Sequence, residues 1–470
     1  MAMEKKEINH AAEVADQIRW KTVAWYSGVV FILYIGYRMY SLTRLATTMT
    51  GLATSRFAIL EMIAFFTWIF NGGTAYHSLD YSMGFLPRAL TGQILSFFTG
   101  EMLTDRAAAV FLLVAYIIAY ALFSVIIGIL IDKAARAENY LMAMFPFLFI
   151  LAPLAVWFRS FFFMNYDTFM LLFALLAFII LLWSKNKKLL WLVPVLSCLG
   201  IMANYAYALL FFPLIFALQY YTYIKSGLMR LRLVQLIVTT VSSAALTAYM
   251  TLAPFYSELL YRLGLYRYNY EEAVAYLGDK LGRELTGHEI LYMSYTVFGM
   301  GPTPEDTWVP IATGAFSALH PDVGWFHQRF YINATVIIIP MLFFAFRVWW
   351  RMAKGETGFI NKSPYYLFML APFIIYPAFM VFADIDRLVW SALLAQLLLM
   401  IYVFIQNGQN KAFEWLKQIT KKDKLAILII ILFALAIILP MLRFNDSQWL
   451  NPLELDVILE MAERMDITVP

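Results

Sequence analysis

The sequence is poor in the residues that most chemistry classes need. It has one cysteine in 470 residues. That residue, Cys198, sits in an apolar run, which excludes a disulfide framework and a cysteine-rich metal site. Charged residues make up only 14%, against about 25% in a soluble domain. None of the five histidines falls in an HExxH or comparable spacing, so no zinc site is indicated. No P-loop or glycine-rich phosphate cradle occurs, and no internal repeat is visible, which counts against the duplicated transporter architectures. The alternating pattern of a membrane barrel is also missing. The formal net charge of +4 is small and distributed loop by loop, which makes it a topology signal and excludes a nucleic-acid footprint.

What is present is apolar length. The hydrophobic fraction is 62% and the mean hydropathy +0.70, values that need many buried helices and not a soluble domain with one anchor. Windows of about twenty apolar residues mark spans near 22–40, 57–73, 107–131, 139–158, 165–183, 188–202, 204–222, 232–254, 331–350, 364–383, 388–406 and 425–443. The segments at 57–73 and 188–202 are short and Arg38 interrupts the first, so the expectation is an all-α polytopic membrane protein with 11–12 transmembrane helices. The first twenty residues mix Lys5, Lys6 and Arg19 with four acids and read as an amphipathic surface start, not a cleavable signal peptide.

Lysine and arginine set the orientation. The loops holding Lys133 and Arg136, Lys185 to Lys188, Lys225 to Arg232, Arg347 to Lys362, and Lys411 to Lys424 are short and basic. The positive-inside bias puts all five in the cytoplasm. The first long loop at 74–106, the turns near 159–164 and 384–387, the segment 255–330 and the tail 444–470 then face outward together. Four regions follow: an N-terminal membrane module over 1–254 containing the 74–106 loop, an outer segment over 255–330, membrane helices over 331–443, and the tail. The expected location is the plasma (inner) membrane, multi-pass, with the active face outward. Only the side of the N-terminus stays open.

The polar residues gather on that outward face. Asp80 in HSLDYSMGF stands within twelve positions of His77 and Arg88. It is a candidate general base, a candidate metal ligand or a solvated loop charge. Arg88 could engage two phosphate oxygens or snorkel to headgroups. Past Pro87, Leu86, Leu90, Ile94 and Phe97 recur at helical spacing and predict a short amphipathic surface helix over 86–98. Asp167 and Arg159 lie at the outer end of a span, as a functional pair or a structural one. Asp384, Asp386 and Arg387 crowd a tight turn, where Asp386 and Arg387 could simply hold the hairpin. The segment 255–330 is too long for a connector and should be partly helical. Thr286 to Glu289 matches a capping box, and Thr303 to Asp306 places proline and acids in a first turn. Trp308, Trp325, Phe326 and Tyr331 suit an interfacial belt or sugar stacking. His320, His327 and Arg329 lie where the segment re-enters the membrane, and His327 is a candidate acid–base group.

An outward first loop with an acid, a surface helix, eleven or so spans and an outer segment between late spans resembles the GT-C superfamily of membrane glycosyltransferases. DYSMGFLPRALTGQI, NYDTFMLL and FADIDRLVW also look like elements of bacterial membrane proteins encoded with capsule and exopolysaccharide genes. The resemblance implies transfer of a sugar, or polymerisation of an oligosaccharide, from a polyprenyl-(pyro)phosphate carrier to a glycan or lipid-linked acceptor. It puts the catalytic role on Asp80, with Asp167 as the alternative, and lipid-phosphate binding on Arg88, while Arg159, Arg329 and Arg387 are compatible with the arginine-based pyrophosphate binding of related polymerases. His77, Asp384, Asp386 and His327 are left to contact substrate. GT-C enzymes often carry two adjacent acids in the first loop and a divalent cation, Mg or Mn. Here Tyr81 follows Asp80, so no metal ligands are assigned. The competing class is a transporter or flippase for lipid-linked oligosaccharides. Acids at the outer ends of spans and nearly charge-free span centres favour the enzyme.

Overall fold

The computed structural model describes residues 18–32, 78–99, 105–143, 166–183, 188–285, 345–371 and 385–407, with short pieces at 146, 289–290, 293–294, 297–299, 342 and 413–415. The fold is all-α. Among the described residues, the one extended pairing is an isolated antiparallel bridge between Gly84 and Tyr266. The helices used below are α1 (20–32), α2 (Ala89–Thr99), α3 (Asp105–Arg136), α4 (Tyr166–Trp183), α5 (Leu192–Ala203), α6 (Phe212–Lys225), α7 (Arg230–Leu252), α8 (Tyr270–Leu281), α9 (345–355), α10 (Phe359–Leu370) and α11 (Ile385–Asn407).

Two helical stretches, Val110–Arg136 and Arg230–Arg262, are long and apolar enough to cross a membrane. At about 1.5 Å per residue each exceeds the ~30 Å of a bilayer's hydrocarbon core. Both expose large apolar side chains, among them Val114 and Ile118 on α3 and Ile237 and Val241 on α7. By contrast α11 is buried all the way round from Ser391 to Ile405, as expected of a helix apolar on every face. Its buried polar residues Gln396 and Tyr402 are both matched. Gln396 accepts from Trp349 Nε1 at 2.8 Å and donates to the Phe368 carbonyl at 2.8 Å, and Tyr402 donates to the Leu181 carbonyl at 3.3 Å. These bonds fasten α4, α9 and α10 around α11.

Helix α1 crosses α3 antiparallel. Ser27 lies against Gly128, where a Cβ would come within 2.9 Å of the Val23 carbonyl oxygen. Four residues toward the other end of the contact, Arg19 pairs with the buried Asp132 at 2.6 Å, and Arg136 pairs with the same carboxylate at 2.9 Å. The N-terminal end of α1 therefore lies with the basic end of α3, which holds Lys133 and Arg136.

The chain breaks between α5 and α6. Asn204 turns extended, and its Oδ1 accepts the Ala206 amide at 3.0 Å. One turn of helix, Tyr207–Leu210, follows before α6 restarts with proline in its first turn. Tyr207 folds back flat onto Gly200, where an added Cβ would sit 2.4 Å from the ring. Gly200→Val is therefore expected to cost ~1–3 kcal/mol by overpacking, read as a lowered unfolding temperature in detergent. An unchanged temperature would mean the break is looser than this packing requires.

Candidate functional site

The 310 turn Tyr81–Met83 is capped by Asp80, whose Oδ1 accepts the Ser82 amide at 2.9 Å and also the Ser82 hydroxyl. The other carboxylate oxygen accepts Lys280 Nζ at 2.6 Å. Lys280, in the last turn of α8, also donates to the Ser78 carbonyl at 2.9 Å. Both charged side chains are buried, at 7% and 6% exposure. Ser82 Oγ in turn meets the Tyr276 hydroxyl at 2.8 Å, one helical turn back along α8. The Tyr81 amide donates to Gln93 Oε1 of α2 at 3.1 Å. Burial pushes the Tyr81 phenol above its ordinary value, so it stays neutral.

Backbone bonds extend the seam. The Arg267 amide donates to the Met83 carbonyl at 2.8 Å, and the Phe85 amide to the Leu265 carbonyl at 2.9 Å. Tyr249 of α7 donates to the Phe85 carbonyl at 2.9 Å. Beneath these bonds, Leu79, Met83, Leu86 and Ala89 share one small core with Leu260, Tyr266, Ala273 and Leu277. The described residues 78–89 of the first loop and 253–285 at the start of the segment expected over 255–330 are one packed unit.

Arg88 joins that unit to the bundle. It takes a left-handed φ of 64° just before α2, and its guanidinium lies 5.1 Å from the Tyr205 ring centroid, a cation–π arrangement. Its Nη2 donates to the Tyr205 hydroxyl at 3.4 Å. Tyr205 stands in the break between α5 and α6, and α2 packs against α5. The expected surface helix thus begins at Ala89, after the strained arginine. It buries Ala89, Leu90, Thr91 and Leu95, and exposes Phe97 and Phe98 at its far end.

Of the residues singled out in the sequence, the structure places the side chains of Asp80 and Arg88. Asp167 occupies the second position of α4, and Asp386 and Arg387 lie in the first turn of α11. His77, Arg159, His327, Arg329 and Asp384 lie outside the described residues, as do Thr286 and the 303–306 stretch. Glu289, read as the acid of a capping box, is buried and accepts two bonds from the Arg283 guanidinium at 2.9 and 2.8 Å. The capping box seen is at Asn269 and Glu272, which exchange bonds of 2.9 and 3.0 Å at the head of α8.

Sequence reasoning missed Lys280, Ser82, Tyr276, Gln93 and Tyr205. The Asn269-to-Glu272 spacing, with Gly282 in the left-handed conformation closing the helix, would have placed Lys280 in a last turn. The donors around Asp80 do not suit a divalent cation. Among the described residues one carboxylate is available there, both its oxygens already accept hydrogen bonds, and an ammonium stands 2.6 Å away. No step through a metal follows.

What the arrangement can do is hold a cation, Arg88, at the meeting point of an extra-bundle unit and a break in the bundle. No family model matches the chain, and neither does any curated protein or any solved structure.

Proposed function

We propose that this chain is a multi-pass glycosyltransferase of the plasma (inner) membrane, acting at the outer face. It would transfer a sugar, or polymerise an oligosaccharide, from a polyprenyl-(pyro)phosphate carrier to a glycan or lipid-linked acceptor for cell-surface polysaccharide assembly. The observation that carries the reading is the Arg88 guanidinium beside Tyr205, where the packed outer unit meets a helix break. Exposed apolar side chains on α3 and α7 and the short basic loops support the membrane placement.

In this reading the bond from the sugar's anomeric carbon to the carrier phosphate breaks, and the acceptor oxygen forms the new bond. Arg88 offsets the charge left on the departing phosphate. The acceptor's proton passes to a carboxylate. Both Asp80 oxygens are engaged by Ser82 and Lys280, so the base falls to Asp167. Asp80 acts as a positioning residue for the loop that carries Arg88.

The test is purified protein with radiolabelled polyprenyl-linked sugars. Arg88→Gln is expected to lower turnover about 100-fold, and Asp167→Asn by about 100-fold or more. Full turnover by both variants would remove the mechanism. No glycosidic product from the wild type with any polyprenyl donor would remove the enzyme reading. A second reading, a flippase for lipid-linked oligosaccharides, is favoured by the break itself. At 12 and 14 residues, α5 and α6 are each about 20 Å long, short of a bilayer, like the interrupted pairs at transporter binding sites. Carrier translocation without a new glycosidic bond would select it.

A further inference from the structure

Helices α9 and α10 form a hairpin whose inward faces are spent on the bundle. Val348, Trp349 and Met352 of α9 and Tyr365 and Phe368 of α10 are buried there. The outward face is unlike a solvated turn. Arg347, Trp350 and Lys354 recur at spacings of three and four along α9, as do Phe359, Lys362 and Tyr366 along α10. Each set lies on one side of its helix. The Tyr366 ring stands 6.4 Å from Trp350 and 6.3 Å from Phe359, so the two sides form one surface. On it Trp350, Phe359 and Ile360 are 45%, 76% and 56% exposed. Large apolar side chains grouped in the open mark a contact surface.

The second observation is charge. Among the described residues, none of Arg347, Arg351, Lys354 and Lys362 pairs with a carboxylate. The one acid within 345–371, Glu356, is held by Lys225 of α6 at 2.5 Å, which brings a fifth cation to the hairpin. Cations take rings in place of counter-ions. The Arg351 guanidinium lies 4.1 Å from the Trp415 centroid, and Lys354 Nζ lies 5.4 Å from that of Trp350. Arg347 and Arg351, four apart on one helix, repel each other. The surface therefore combines like charges in need of anions with apolar side chains in need of cover.

We infer that the α9–α10 hairpin is seated on the anionic headgroup layer of the bilayer. Arg347, Lys354 and Lys362 meet lipid phosphates, while Trp350, Phe359 and Ile360 enter the boundary beneath them. A soluble acidic partner would match the charge but leave the apolar side chains in water. A lipid surface takes both. The inference rests on the membrane placement proposed above and is independent of sugar transfer.

The experiment uses the full chain. Membranes from expressing cells are first washed with alkaline carbonate, and release into the wash would remove the membrane placement and this inference with it. The retained protein is purified in detergent and mixed with phosphatidylglycerol and phosphatidylcholine of matched acyl chains, and native mass spectrometry counts each bound lipid. Phosphatidylglycerol is expected to be retained in preference, and the preference should shrink as salt rises. Lys354→Gln with Lys362→Gln should weaken its retention about 25-fold, at roughly fivefold for each cation. Arg262→Gln, which removes an exposed cation already paired with Glu258, should leave retention unchanged. Phe359→Ser with Ile360→Ser should lower retention of both lipids. Equal retention of the two lipids by the wild type would overturn the inference, whether or not the variants fold. So would an equal loss in Arg262→Gln and in the paired lysine variant. A wild type that prefers polyglutamate to phosphatidylglycerol, undiminished by Phe359→Ser with Ile360→Ser, would assign the surface to an acidic protein and overturn it as well.

Discussion

Lys280→Met is expected to destabilise the protein by ~3–5 kcal/mol, because it leaves the Asp80 carboxylate buried without its counter-charge. Lys280 and Asp80 are 6% and 7% exposed and 2.6 Å apart, so water cannot take over from the ammonium. The Ser78 carbonyl loses its donor in the same step. Asp80→Asn should cost less than Lys280→Met, since an amide oxygen still accepts from the Ser82 amide while Lys280 keeps Ser78. Asp80→Asn combined with Lys280→Met is expected to recover part of the loss, because no buried charge then remains. Thermal unfolding of all four proteins in one detergent reads the cycle. Additive losses would mean that the two charges act independently, contrary to the geometry.

The same cycle separates structure from chemistry. If Asp80 positions the loop holding Arg88, sugar transfer should fall in Lys280→Met and return in part in the double variant, which has no carboxylate at position 80. A residue acting as the base could not be rescued in that way.

How far the sequence could be read depended on how local each signal was. The helices seen as α4, α7 and α11 were expected at 165–183, 232–254 and 388–406 and are found at Tyr166–Trp183, Arg230–Leu252 and Ile385–Asn407. Each is a long apolar run bounded by polar residues, and burial of such a run admits little else. The division near residue 203 was also legible. What the division does was not, because a Tyr207 ring lying on Gly200 leaves no mark in hydropathy. At Asp80 the sequence found the residue and missed its partner. Lys280 lies 200 positions away in a segment with several cations, and nothing local distinguishes it. The head of α8 is legible in the Asn269-to-Glu272 spacing. Two stretches match a capping box, and each is followed by fully buried apolar residues at helical spacing: Ala273 and Leu277 after Asn269, Met293 and Val297 after Thr286.

Gly84→Ala is expected to be among the most damaging single-methyl additions, at ~3 kcal/mol or more. Gly84 has φ 114° and ψ −176°, a region open almost only to glycine. Conformation is half of the cost. A Cβ there would lie 2.4 Å from the Leu265 carbonyl oxygen and 2.7 Å from Tyr266 Cα. Both are backbone atoms with no rotamer to give. The two chains would have to part, taking with them the bonds from Phe85 to Leu265 and from Arg267 to Met83. Gly264→Ala separates the two costs. It has φ +71° with nothing within 4 Å of the added carbon, so it should lose only the ~1–2 kcal/mol of a left-handed alanine. Hydrogen exchange supplies the local reading: Phe85 and Arg267 amides should exchange faster in Gly84→Ala and at the wild-type rate in Gly264→Ala. Equal stability loss and equal exchange in the two variants would mean that the seam is not closed as described. Arg88 is four residues downstream of Gly84, so a parted seam would also release the guanidinium from Tyr205. The transfer activity proposed for this chain should then fail in Gly84→Ala even at temperatures where α3, α7 and α11 remain folded.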